Sequence, residues 1–263
     1  MRAASVGHQC PDCVKQGSAA TRPIKAAYGG RARQAPYVTW TLISINVVML
    51  AVTTSGSGFL RGDTGNSLFQ KLALIPTRTA FGDGNGGVHL IDGVAHGDYY
   101  RLVTSMFLHF GVIHLALNMY CLFLVGPALE QAFGQVRYLA TYLVSGLGGS
   151  VLSYALGPQN EVAAGASGAV FGLFAAYYVL GRRRNLDVSS ITATIGLNLF
   201  LSFAISGIDW RGHVGGLVTG AALAWVIVYS PDTKQRSAYQ AAGVLAVAVL
   251  LVAGVAARTA ALT

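Results

Sequence analysis

The sequence predicts an all-α membrane protein, a polytopic bundle of seven transmembrane helices. Three observations carry that fold class. First, 53% of the 263 residues are hydrophobic and only 11% are charged, whereas a soluble domain carries about 25% charged residues. Second, seven apolar stretches lie near 38–55, 104–126, 136–156, 166–181, 188–206, 212–229 and 238–257. Each approaches the length of about 20 residues that a helix needs to cross a hydrocarbon core. Third, the basic residues sit in short clusters beside these stretches and not along one polar face. That pattern fits membrane orientation and excludes a nucleic-acid partner, despite a net charge of +8.

In chain order, residues 1–36 lack the apolar core of a secretory signal and read as a cytoplasmic tail. Within it, "VGHQCPDC" sets Cys10 and Cys13 two residues apart, with His8 just before. A closed zinc site needs four ligands, and no second pair follows, so these three are weak metal candidates. No cofactor is expected. Residues 37–232 form the core, and 233–263 a linker with an extra C-terminal transmembrane helix. Between the first two spans, segment 56–103 contains "FGDGNGGVHLIDGVAHGDYYR". An ordered loop of this length is usually functional, and Tyr99 and Tyr100 suit a membrane interface. Spans four and six are short and glycine-rich, as helices enclosed by others would be. Cys121, in an apolar run, reads as an inert buried thiol.

Lys and Arg positions set the orientation. With the N-terminus inside, the cytoplasmic segments hold Arg22, Lys25, Arg31 and Arg33, then Arg137, then Arg182, Arg183 and Arg184, then Lys234 and Arg236. The outer segments hold Arg61, Lys71, Arg78 and Arg101 spread over a long loop, then Arg211 and Arg258. The expectation is N-in and C-out, in the cell membrane.

Polar groups inside spans are costly and need individual accounting. The second span reads "TSMFLHFGVIHLALNMY", with His114 and Asn118 at i, i+4 on one helix face and His109 on another. The fourth opens at Ser167 in "AAGASGAVFG", and the sixth opens "DWRGHVGGLVTG" with His213. All three spans run from outside to inside, so Ser167, His213 and His114 meet at similar depth in the outer leaflet. Serine becomes a nucleophile when a base such as histidine takes its proton. His114, Asn118 and a backbone N–H could stabilise an oxyanion. Asp209, in the loop before His213, is a doubtful third member, and a dyad is preferred.

Gly165 and Gly168 permit close backbone approach beside Ser167. G-x3-G faces at Gly168/Gly172, Gly212/Gly216 and Gly216/Gly220 permit tight helix crossing. Each feature alone has a plainer reading. Ser167 could pack helices, His213 could be a satisfied core histidine, and Asn118 could bond between helices. His109, Glu130, Arg137, Asn46 and Asn198 read as structural. A metal site of His109, His114 and His213 lacks a carboxylate, and a proton-relay transporter lacks paired carboxylates.

Taken jointly, the pieces "YYRLVTSMFLHFGVIHLALNMY", "GPALEQAFGQVRY", "GASGAVFG" and "GHVGGLVTG" occur in the order of the rhomboid family of intramembrane serine proteases, which the sequence resembles over 99–220. The extra seventh span resembles the six-plus-one form of that family, and the Cys/His tail resembles actinobacterial relatives. The resemblance implies Ser167 as catalytic serine and His213 as its partner, with His114 and Asn118 stabilising the oxyanion. It implies site-supporting roles for His109, Gly165, Gly168 and Phe171, the last packing on His213 where relatives often have Tyr. Gly126, Glu130 and Gly134 match a structural pattern at the end of the second span. Tyr100-Arg101 stands where the family often has Trp-Arg, and Gly212 where it usually has Ala. The implied substrates are single-span transmembrane proteins in the lipid bilayer, cut through an acyl-enzyme near their outer ends. The alternative is a catalytically silent rhomboid-like protein that binds transmembrane clients.

Overall fold

The computed structural model describes residues 2–3, 8–13, 15, 26–30, 35–54, 64–82 and 87–263. Arg22, Lys25, Arg31, Arg33 and Arg61, which carry part of the orientation argument, lie outside the described residues, as does the side chain of His8. Strands β1 (Arg2–Ala3) and β2 (His8–Gln9) pair antiparallel near the N-terminus. Cys10 and Cys13 beyond them are exposed and unbridged. The remainder is mostly helical.

Helix α1 (Tyr37–Thr53) has a carboxylate seated at its N-terminus. Glu130 accepts from the Val38 N–H at 3.0 Å, the Thr39 N–H at 2.9 Å and the Thr39 hydroxyl at 2.9 Å. An anion at this end of a helix opposes the macrodipole and satisfies donors that no helical carbonyl can reach. Buried Glu130 therefore fixes where α1 starts.

The long connection that follows is built and clamped. It holds α2 (Ser67–Leu72), a hairpin of β3 (Thr79–Gly82) and β4 (Val88–Ile91), and α3 (Arg101–Thr104). Arg101 is 1% exposed. Its guanidinium donates to Asp98 at 3.0 Å and to the carbonyls of Gln70 and Ala73 at 2.8 and 3.0 Å. One buried cation thus ties three points of the loop together.

Helix α4 (Val112–Phe133) corrects the expected second span, 104–126. Ser105–Phe107 form a 3-10 turn, and Gly111 at φ 90° breaks the chain before the helix begins. The apolar run continues through this break, so hydropathy alone cannot register it. His109 accordingly lies in the extended segment ahead of α4, not on the helix with His114.

The remaining helices are α5 (Gln135–Leu156), α6 (Ser167–Arg183), α7 (Ser189–Ala204), α8 (Trp210–Tyr229) and α9 (Arg236–Leu262). Of the described helices, α4, α5, α8 and α9 are long and apolar enough to cross a membrane, while α1 and α7 are shorter apolar helices. Helix α6 is the most enclosed, burying Gly168 through Ala176 without interruption. Exposed Leu117, Phe123, Phe200, Val218, Leu250 and Val252 face outward from the bundle, the distribution expected where lipid replaces water as solvent.

Backbones of α5, α6 and α8 touch directly. A methyl group at Gly216 would fall on the Gly168 carbonyl, and one at Gly149 would lie 2.6 Å from the Gly212 carbonyl. Such approach is what small residues allow in helix crossings. At the opposite end, buried Gln240 of α9 donates to the carbonyls of Tyr28 and Ile227 and accepts from Arg137, joining the N-terminal segment, α5, α8 and α9.

Candidate active site

Ser167 is the first residue of α6, His114 the third of α4 and His213 the fourth of α8. Three helix starts therefore deliver these side chains to one end of the bundle. The segment before Ser167 is pinned by an isolated β-bridge, Ala163 and Leu74 exchanging backbone bonds at 2.9 Å. The Gly165 N–H donates to the Ser105 carbonyl at 3.0 Å. Gly165 itself has φ 146°, and a Cβ there would lie 2.9 Å from His114 Cε1. Only glycine fits this turn. The same point is 3.1 Å from His114 Nε2 and 3.5 Å from Ser167 Oγ, so imidazole and hydroxyl border one small space.

The first helical bond of α6 runs from the Val170 N–H to the Ala166 carbonyl. The N–H groups of Ser167, Gly168 and Ala169 therefore have no intrahelical acceptor. A helix start with free donors favours negative charge.

His114 takes a defined form. The Phe110 N–H donates to its Nδ1 at 3.2 Å, which places the ring proton on Nε2, the nitrogen beside Ser167. Phe110 stacks on the same ring, with centroids 6.0 Å apart at 11°. Asn118, one turn further along, donates one amide hydrogen to the His114 carbonyl at 2.9 Å and keeps a second. His109 is fully buried, and neither of its ring nitrogens has a hydrogen-bond partner among the described residues. Its ring meets that of His114 edge-on at 5.1 Å.

His213 is sandwiched. Phe171, one turn beyond Ser167, lies flat against it with centroids 4.3 Å apart at 13°. Ser202 of α7 bonds its Nδ1 at 2.6 Å. Among the described residues Ser167 Oγ makes no hydrogen bond, to His213 or otherwise. Gly168 packs against the Gly212 carbonyl, one residue before His213.

The Asp209 carboxylate makes no bond to the His213 ring, although its backbone carbonyl accepts from the His213 N–H at 3.3 Å. It caps α8, accepting from the N–H groups of Arg211 and Gly212 at 3.1 Å, and it accepts from the hydroxyl of Ser153. Burial pushes its carboxyl above the ordinary carboxylate range. Beside Ser167 lies a cavity of about 40 Å³ bordered by Ser105, Ser150, Ser153 and Asp209. It is polar and large enough for water.

Ser202, Ser153 and Ser105 are the residues that sequence reasoning passed over. Single serines in apolar helices are common, and only the position of Ser202, near the end of α7 that adjoins the start of α8 where His213 lies, could have singled it out. Among the described residues no cluster of three metal-ligating side chains occurs.

A family model described as Rhomboid domain matches residues 96–230. The chain is 42% identical over 132 residues to the rhomboid protease GluP of Bacillus subtilis, covering 48% of this chain and 26% of GluP. It is 35% identical over 147 residues to YdcA of the same organism, covering 54% of this chain and 74% of YdcA. It is 32% identical over 156 residues to rhomboid-type serine protease 2 of Emericella nidulans, covering 57% of this chain and 31% of that protein. The matched part thus spans about a quarter of GluP and three quarters of YdcA.

Proposed function

The chain belongs to the rhomboid family, and from that premise we propose that it is an intramembrane serine endopeptidase. It cleaves transmembrane segments of single-span membrane proteins near their extracytoplasmic ends. Ser167 is the nucleophile and His213 the base. The proton of Ser167 Oγ passes to His213 Nε2 as Oγ attacks the scissile carbonyl. The oxyanion receives hydrogen bonds from His114 Nε2–H, the spare amide hydrogen of Asn118 and the Ser167 N–H. Collapse breaks the C–N bond, and the leaving amine takes the proton from His213. Water from the polar cavity beside Ser167 then hydrolyses the acyl-enzyme, with His213 again as base.

The observation that carries this reading is the pair of ring arrangements around Ser167. His213 is gripped by Phe171 and Ser202, and His114 turns a protonated Nε2 toward the same space as the hydroxyl. A helical substrate hides its carbonyls and must unwind before attack, so small and helix-breaking residues near the cut favour cleavage.

In the same reading the N-terminus is cytoplasmic, the C-terminus is outside, and seven helices cross the cell membrane. Residues 37–232 form the catalytic core, after a cytoplasmic tail over 1–36 and before the extra span in 233–263. A second reading, a catalytically silent member that binds transmembrane clients, draws on the missing hydrogen bond between Ser167 and His213. Catalytic bonds of this kind are often long without substrate and tighten in the Michaelis complex.

Cleavage of a single-span substrate by the full chain in liposomes tests the proposal. Wild type cuts, Ser167→Ala and His213→Ala do not, and His114→Ala slows cleavage by roughly 10²–10³-fold. Cutting by Ser167→Ala overturns the assignment. Substrate retention without cutting by wild type supports the silent reading.

A further inference from the structure

Helix α7 buries only two side chains, Ile191 and Ser202. Leu197, Phe200, Leu201 and Phe203 are exposed, while Ile195 and Leu199 are half-buried. Ser202 is therefore the one side chain near the outer end of this loosely seated helix that the bundle encloses, and it meets His213 Nδ1 at 2.6 Å. We propose that Ser202 is a positioning residue that fixes His213 in the tautomer with a bare Nε2, making the competence of the dyad depend on α7 being seated. This rests on the protease reading above.

The count of protons fixes the tautomer. A hydroxyl has one hydrogen to donate. Ser202 Oγ also lies 2.6 Å from the Asn198 carbonyl one turn earlier, the usual back-bond of a helical serine. A carbonyl only accepts, so the hydroxyl hydrogen goes there, and Ser202 must accept from His213. Nδ1 then carries the ring proton, and a neutral imidazole with Nδ1–H has its lone pair on Nε2.

Stacking cannot do this work. The Phe171 ring fixes the plane of the imidazole, but a half-turn about the Cβ–Cγ bond preserves that plane while exchanging Nδ1 for carbon. Among the described residues, it is the bond to Ser202 that separates the two orientations. The carboxylate of Asp209, four residues before His213, is committed to the Arg211 and Gly212 N–H groups and to Ser153. The place an acid fills in a triad is here taken by a neutral hydroxyl borne on a different helix. Outward movement of α7 removes that acceptor and releases the ring.

The test uses the full chain with ¹⁵N-labelled histidine in detergent micelles, the His213 resonance being identified by its loss in His213→Gln. In wild type the nitrogen shifts report Nδ1–H. Ser202→Ala and Ser202→Val lose that preference and lower kcat roughly tenfold to a hundredfold, with KM unchanged. Ser202→Thr, isosteric with Val but bearing a hydroxyl, restores both. A wild-type ring protonated at Nε2 overturns the proposal. So does a Ser202→Ala protein with unchanged tautomer and kcat, or a Thr variant that behaves as Val does. A tautomer response to the Ser202 variants without any cleavage by wild type upholds Ser202 and rejects the protease reading, so the two fail separately.

Discussion

The imidazole of His213 lies parallel to the ring of Phe171, 4.3 Å away at 13°. Because Phe171 is one turn after Ser167 on α6, the same helix that presents the proposed nucleophile also holds the plane of its proposed base. Phe171→Leu removes the flat surface, and an aromatic stack of this kind contributes about 0.5–1.5 kcal/mol. The variant is expected to lose roughly two- to tenfold in kcat, a range that follows from that energy. Phe171→Tyr, which keeps the ring, retains activity. Steady-state cleavage by both variants checks this.

Helix crossing sets the distance between α6 and α8. Gly216→Ala would drive a methyl group into the Gly168 carbonyl, and backbone cannot yield as a flexible side chain would. Overpacking costs about 1–3 kcal/mol. Thermal unfolding in detergent is expected at lower temperature, with cleavage lost even where the protein remains folded, because Ser167 and His213 are pushed apart.

Glu130 tests architecture without touching the site. Glu130→Ala strands the N–H groups of buried Thr39 and half-buried Val38, at about 1–3 kcal/mol for a buried unsatisfied group. The expected outcome is a lower unfolding temperature with near-normal cleavage per folded molecule. Thermal scans paired with active-site titration measure both.

Asp209 gives stability a pH dependence of a particular sign. Burial raises its carboxyl above the ordinary range, so just above that range the folded protein binds more protons than the unfolded chain. Stability then falls as pH rises through the interval between the unfolded and folded values. Asp209→Asn, which can still cap α8, is expected to flatten this slope. Unfolding temperature against pH for the two proteins reads it directly.

The helices were legible because a bilayer demands long apolar runs, and the ends of α1, α5, α6, α7 and α8 lie within about two residues of the apolar stretches beside them. The second span failed for a definite reason. Gly111 interrupts a run that stays apolar on both sides, so hydropathy carried the helix eight residues too early and put His109 on it. Side chains such as Ser167, His114 and His213 stood out because polar groups in spans are costly. Ser202 did not, since a serine in a span satisfies itself on the carbonyl four residues back, and nothing in one dimension reveals that it also meets a histidine. Asp209 was noticed for its charge, while its cap on α8 and its bond from Ser153 depend on packing that only three dimensions supply.

The central claim is that Ser167 is a nucleophile, and fluorophosphonate labelling of the full chain, with the adduct mapped by mass spectrometry, tests it most directly. The account predicts a covalent adduct on Ser167 that is absent from Ser167→Ala and strongly reduced in His213→Ala. An adduct that persists in Ser167→Ala, carried by another residue, would contradict it.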